Sequence, residues 1–154
     1  MTAEANAPAS GPVIFAYDGS ELAKLAIDEA GSLLGPGRDA LVVVVWQPFD
    51  VGFVPVSGLE FDAAEIAAVR KAAEETAAEG ASRAEAAGFR ARGLASEATP
   101  TWKGLCKVGD EHDASLIVLG SHGRTGVSGV VIGSVAAAVA SHTERSVLIT
   151  HRRS

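Results

Sequence analysis

Four short runs of the chain are apolar almost without interruption: Pro12–Tyr17 (PVIFAY), Leu41–Trp46 (LVVVVW), Leu116–Gly120 (LIVLG) and Ser146–Thr150 (SVLIT). A strand with one face in water alternates apolar and polar residues. A run without alternation suits a strand covered on both faces, as in a parallel sheet. A weaker run, Phe89–Ala95 (FRARGLA), alternates and is expected at a sheet edge. Helical patterns separate these runs. Ser20 can cap a helix whose Leu22, Ala26, Ala30 and Leu33 share one face, and Gly35-Pro36 stops it. Glu60–Ala87, rich in Ala, Glu and Arg, is expected as one long helix with Ile66, Val69, Ala73 and Ala77 inward. Shorter helices are expected from Trp102 to about His112 and from Ser134 to Thr143. The alternation of strand and helix predicts an α/β fold, a doubly wound open five-stranded parallel sheet of order 3-2-1-4-5 with helices on both faces.

The 154 residues suit one domain. Residues 1–11 read as a flexible tail and 12–154 as the folded unit. The one long loop, Gln47–Gly58, is broken by Pro and Gly, and loops of this length are often functional. With 13 Lys plus Arg against 19 Asp plus Glu, the net charge of −6 argues against a nucleic-acid partner, although His151, Arg152 and Arg153 form a small basic end. Cys106 is the only cysteine, which excludes an intramolecular disulfide and a zinc site built on cysteines. The N-terminal MTAEANAPASG has neither a basic residue nor an apolar run, so it is not read as a signal peptide. Leu41–Trp46 is far too short to cross a bilayer. The expected location is the cytoplasm, with no membrane partner.

Directly after the fourth strand comes GSHGRTGVSGVVIGSV, residues 120–135. Ligands of open α/β sheets bind beyond the carboxyl ends of the strands, where the strand order reverses. Gly120 stands at such an end, and Asp18 at another. The loop runs into the helix beginning near Ser134, and a helix start offers free N–H groups and partial positive charge to a phosphate. Glycines let backbone donors come close to phosphate oxygens. Ser134 can give its hydroxyl to the anion or cap the helix. The chain has no G-x-x-x-x-G-K-[ST] loop and no G-x-G-x-x-G after the first strand, which excludes both common phosphate fingerprints.

The spacing present is Gly120-x2-Gly123-x9-Gly133-Ser134. Together with AYDGS after the first strand and ASLIVLGSHGRTG around the fourth, it resembles the ATP-binding subgroup of the universal stress protein family, over nearly all of Pro12–His151. The resemblance implies that adenine lies near Ala16, Tyr17 and Asp18, with the backbone of Val45 against the base. Leu119 and Gly120 would pass under the ribose, and Gly123, Gly133, Ser134 and Val135 would cradle the phosphates. It implies ATP, with Mg²⁺, as the cofactor. Arg124 is the charge partner available where phosphate loops often carry lysine. Asp18 suits a base or ribose donor better than a phosphate. The chain departs from many relatives in lacking a histidine near Val44 and in carrying Glu97–Pro100 (EATP) and Ser115 where Gly-x-Pro and Asp are common.

Other residues read more plainly. His122 is expected to be solvated rather than catalytic. Cys106 is expected as a buried inert thiol, and Trp46 and Trp102 as packing residues, with Trp46 able to flank a nucleotide. Thr125 and Ser128 are candidate phosphorylation sites by residue type alone. No catalytic residue and no metal ligand is assigned. The last strand would leave a short apolar edge, which pairing of Val147, Leu148, Ile149 and Thr150 with a second copy would cover. The resemblance implies the same homodimer, and folding of the tail HRRS over that edge is the competing solution. The expected function is an adenine-nucleotide-loaded regulatory module of the stress response. A cyclic AMP or AMP site, a slow ATP hydrolase and a nucleotide-independent scaffold remain alternatives; Leu119-Gly120 supplies no acid for efficient hydrolysis.

Overall fold

In the computed structural model the described residues are 9–48, 63–122 and 132–153. Four expected features lie wholly or partly outside them: residues 1–8 of the tail, 49–58 of the long loop, 60–62 of the second helix and 123–131 of the glycine loop.

The apolar runs become strands β1 (Val13–Ala16), β2 (Asp39–Trp46), β4 (Leu116–Gly120) and β5 (Val147–Thr150), and the alternating run becomes β3 (Arg90–Glu97). Between them lie α1 (Glu21–Leu34), α2 (Ala63–Ala86), α3 (Thr101–Glu111) and α4 (Ser134–His142). All neighbouring strands pair in parallel, in the order β3-β2-β1-β4-β5. The expected topology is therefore present, with β3 at an edge. No helix among the described residues is long and apolar enough to cross a membrane.

Strand alternation divides the core into two layers. Val13, Phe15 and Tyr17 join Val42, Val44 and Trp46 beneath α1 and α2. Ile14, Leu41, Val43, Ile117 and Leu119 face α3 and α4. Each central strand thus buries both sets of side chains, which is why its sequence shows no polar alternation. Phe15 and Phe89 meet edge to face, with ring centroids 5.1 Å apart. Small residues bring α2 close to the sheet. A side-chain carbon at Gly80 would lie 2.6 Å from Val42 Cγ1 and 2.7 Å from the Tyr17 ring, so only glycine fits there.

Some expected details differ. In α1 the buried set is Leu22, Ala23, Ala26, Ile27 and Ala30. Leu33 is 63 % exposed, and the half-buried Leu34 takes the inward position that the 3.6-residue repeat brings round next. Ile66 and Val69 are only partly buried against the core, whereas Ala73 and Ala77 are buried in it. Gly11, read as the end of a tail, donates its N–H to the Asp113 carbonyl at 3.0 Å. Trp46 is a packing residue in the α1/α2 layer, 5 % exposed.

Candidate functional site

The order of strands reverses at β1: the chain passes from β1 outward to β2 and β3, then returns to place β4 on β1's other side. The carboxyl ends of β1 and β4 therefore border a crevice, because the connections leaving them diverge. Ala16, the last residue of β1, and Val45 of β2 are half-buried and pack on the α3/α4 layer; Leu119 of β4 is buried in it. These residues form a small apolar shelf. At its side, α3 approaches β2 closely, where a carbon on Gly104 would lie 3.2 Å from both Val45 methyls.

Beyond β1 the chain turns into α1. Asp18 accepts the Ser20 N–H at Oδ1, 2.9 Å away, and the Ser20 hydroxyl accepts the Ala23 N–H at 3.2 Å. Ser20 is thus the helix cap that the sequence predicts. Tyr17 points away from the crevice. Its ring is 4 % exposed in the α1/α2 layer, and its hydroxyl donates to Glu79 Oε1 at 2.9 Å. Burial first, then the hydrogen bond and negative charge of Glu79, push the phenol up to about 12. Lys24 stands 3.8 Å from the same carboxylate. What Tyr17 leaves to the crevice is its backbone, and the N–H is already given to Val43 O at 2.9 Å.

Beyond β4 the packing is tight. A carbon on Gly120 would lie 2.8 Å from Leu22 Cγ. Ser121 is 3 % exposed; its N–H donates to Thr150 O at 2.8 Å, and its carbonyl accepts the Gly133 N–H at 2.6 Å. That second bond fastens the start of α4 to the end of β4. A side chain on Gly133 would sit 2.8 Å from the same Ser121 carbonyl, so glycine is required for close approach. Gly133 is the N-cap of α4, with extended backbone and no side-chain cap bond; Ser134 is the first helical residue and does not cap. The N–H groups of Ser134, Val135 and Ala136 have no acceptor within the helix, as the first turn of any helix requires. They point toward the N-terminal end of the helix axis, with the partial positive charge of the helix end. Ser134 is exposed, and the Val135 side chain is 37 % exposed. Gly123 and Arg124, expected in the phosphate cradle, and Thr125 and Ser128 lie outside the described residues.

His122, expected in solvent, is half-buried, and its Nδ1 lies 3.1 Å from Ser121 Oγ. The sequence carried a signal for this, since serine beside histidine at a strand end offers a local hydrogen bond. Cys106 is half-buried rather than fully buried, and burial pushes its thiol pKa up, away from reactive thiolate character. Trp102 stacks on His142, centroids 4.1 Å apart, which joins α3 to α4. Among the described residues no cluster of three or more His, Cys, Asp or Glu side chains is arranged to hold a metal ion. At the opposite, amino end of the strands a groove of about 650 Å³ is lined by Pro12, Asp39, Leu41, Arg90, Arg92 and His112, remote from the sequence-predicted residues.

Comparison with known proteins supplies the family. A model of the universal stress protein family matches residues 10–151. The chain belongs to that family. It is 32% identical over 158 residues to the universal stress proteins Rv2005c of Mycobacterium tuberculosis and Mb2028c of Mycobacterium bovis, matching 96% of this chain. The chain spans about half (47%) the length of these curated relatives. Among solved structures, a universal stress protein in complex with cAMP is 26% identical, with a TM-score of 0.59, covering 93% of this chain and 98% of that one. The universal stress protein from Archaeoglobus fulgidus in complex with dAMP shares the fold at 22% identity and a TM-score of 0.60, covering 92% and 98%. UspA from Lactobacillus plantarum shares it at 18% identity and a TM-score of 0.69, covering 94% and 99%.

Proposed function

We propose that this universal stress protein domain binds an adenine nucleotide, ATP with Mg²⁺, at the carboxyl edge of its sheet, and that the loaded domain acts as a dimeric regulatory module of the cytoplasmic stress response. The observation that carries the reading is the junction of β4 with α4. There the Ser121–Gly133 bond holds three first-turn N–H groups beside a strand end that borders the switch-point crevice. An anion at that position meets oriented donors and the positive end of the helix dipole, with no side-chain cation needed. The apolar shelf of Ala16, Val45 and Leu119 supplies a surface for the base, reached past the backbone of Tyr17. Asp18 is the group for a base or ribose donor, and Gly120 lies under the sugar. Gly133, Ser134 and Val135 receive phosphate, with Gly123 and Arg124 completing the cradle.

The cAMP complex of the 26%-identical relative supports an adenine ligand. It is also the specific ground for a second reading, in which the natural ligand carries a single phosphate. Mg²⁺ fits as the counterion of the triphosphate, held by phosphate oxygens and water, since no described acidic cluster waits for it and Asp18 Oδ1 is engaged by Ser20. The homodimer reading rests on β5, which among the described residues has no strand on its outer side and whose Val147, Leu148 and Ile149 are half-buried. The tail is drawn to α1, where Arg153 pairs with Glu29 at 3.0 Å.

Calorimetric titration of nucleotide-free protein tests the reading. Saturable binding of ATP with Mg²⁺ is expected. Binding of cyclic AMP alone would keep the site and change its ligand, and silence with both would refute nucleotide binding.

A further inference from the structure

The nucleotide reading uses backbone donors and leaves the imidazole at the mouth of the loop without a task. Yet His122 is held in place. Its Nδ1 is 3.1 Å from Ser121 Oγ, and the Ser121 side chain is buried. Its Cδ2, the ring atom bonded to Nε2, lies 3.7 Å from where a side-chain carbon of Gly133 would be. The ring edge carrying Cδ2 therefore borders the N-cap of α4, the residue that precedes the first-turn N–H groups of Ser134, Val135 and Ala136.

The partner of Nδ1 sets the tautomer. A buried hydroxyl proton without an acceptor costs free energy. Among the described residues, the acceptor offered to the Ser121 hydroxyl is Nδ1. With Ser121 donating to Nδ1, the ring proton of the imidazole resides on Nε2. His142 shows the converse. Its Nδ1 faces the Ala138 carbonyl at 2.8 Å, an acceptor only, so there the proton is on Nδ1.

We propose that His122 is a phosphate-positioning residue: an Nε2–H donor, fixed by Ser121, that adds a side-chain hydrogen bond to the backbone donors of the α4 start. This rests on the nucleotide reading above and deepens it. The ligand class it favours is a nucleotide carrying at least one phosphate, over the uncharged nucleoside. Unlike a flexible lysine, the donor has a fixed direction, so it selects where the phosphate sits.

The test compares adenosine, AMP, cyclic AMP and ATP with Mg²⁺ as titrants of the parent chain, His122→Ala, His122→Gln and Ser121→Ala. His122→Ala is expected to weaken each phosphate-bearing ligand about tenfold, the worth of one hydrogen bond to a charged acceptor, and to leave adenosine unchanged. His122→Gln, which keeps a side-chain N–H, is expected to recover part of the loss. Nitrogen NMR of the parent should show His122 as the Nε2–H tautomer, and Ser121→Ala should move it toward a mixture. AMP and ATP binding by His122→Ala at parental affinity, an equal loss for adenosine, or an Nδ1–H tautomer in the parent would each overturn the assignment. If the parent binds none of the nucleotides, the nucleotide reading itself fails, and this proposal with it.

Discussion

The two faces of the sheet are built to different purposes. On one side α1 and α2, 14 and 24 residues long, close over a layer that contains Phe15, Tyr17, Trp46 and Phe89. On the other, α3 and α4, 11 and 9 residues long, cover aliphatic side chains. That face leaves Ala16, Val45, His122 and Gly133 around an open strand end. The first face takes up even Tyr17, the residue nearest the crevice in sequence, and seals its hydroxyl against Glu79. The second keeps its side chains small at the strand end where we propose that the backbone meets a nucleotide. The difference teaches that one sheet can separate stability from recognition, each strand giving alternate residues to each task.

This division can be broken by substitution. Phe15→Ala should have the largest effect on stability, about 3–5 kcal/mol by denaturant unfolding, because it opens a cavity among fully buried neighbours. The fraction that remains folded should bind nucleotide with unchanged affinity. Gly133→Val should do the opposite: a modest loss of stability, about 1–3 kcal/mol from the clash with the Ser121 carbonyl, and at least about tenfold weaker nucleotide binding by calorimetry. Equal loss of affinity in both variants would erase the distinction between the faces.

Tyr17→Phe sharpens the same point with a smaller effect, about 1 kcal/mol at neutral pH for the bond to Glu79. Its pH signature is more telling. The folded phenol is raised from 10.0 to about 12, so the unfolded chain loses its proton first as pH rises. The stabilisation is complete below pH 10 and is lost as pH climbs toward 12. Unfolding midpoints measured across that interval should fall more steeply for the parent than for Tyr17→Phe, and parallel curves would mean that the phenol is not protected by the fold.

Much of this architecture was legible in the chain. Uninterrupted runs such as Leu41–Trp46 announce strands covered on both faces, and Phe89–Ala95 announces an edge by alternating. Ser20 announces its helix because capping is local chemistry. What escaped depends on contacts between distant segments. Gly80 is a poor helix former inside α2, and nothing nearby in sequence says that Tyr17 and Val42 will press against it. The resemblance implies adenine near Ala16, Tyr17 and Asp18, and the period-two alternation from Val13 and Phe15 points the Tyr17 ring into the other layer, leaving its backbone at that end of β1. Serine at a helix start can cap or donate to an anion, and Ser134 leaves both open in the sequence. The helix does begin at Ser134, as expected, but its cap is Gly133, whose N–H is held by the Ser121 carbonyl. A loop histidine between serine and glycine predicts exposure, and the seat of His122 beside Gly133 exists only once α4 returns to β4.

Backbone amide NMR during a nucleotide titration tests the central claim most directly, because it reads location as well as binding. The account predicts shifts that saturate with ATP or cyclic AMP and gather at Ala16, Val45, Gly120, Gly133, Ser134 and Val135, with the α1/α2 layer quiet. Saturable shifts gathered instead at Asp39, Arg90, Arg92 and His112, in the groove at the opposite end of the strands, would contradict it.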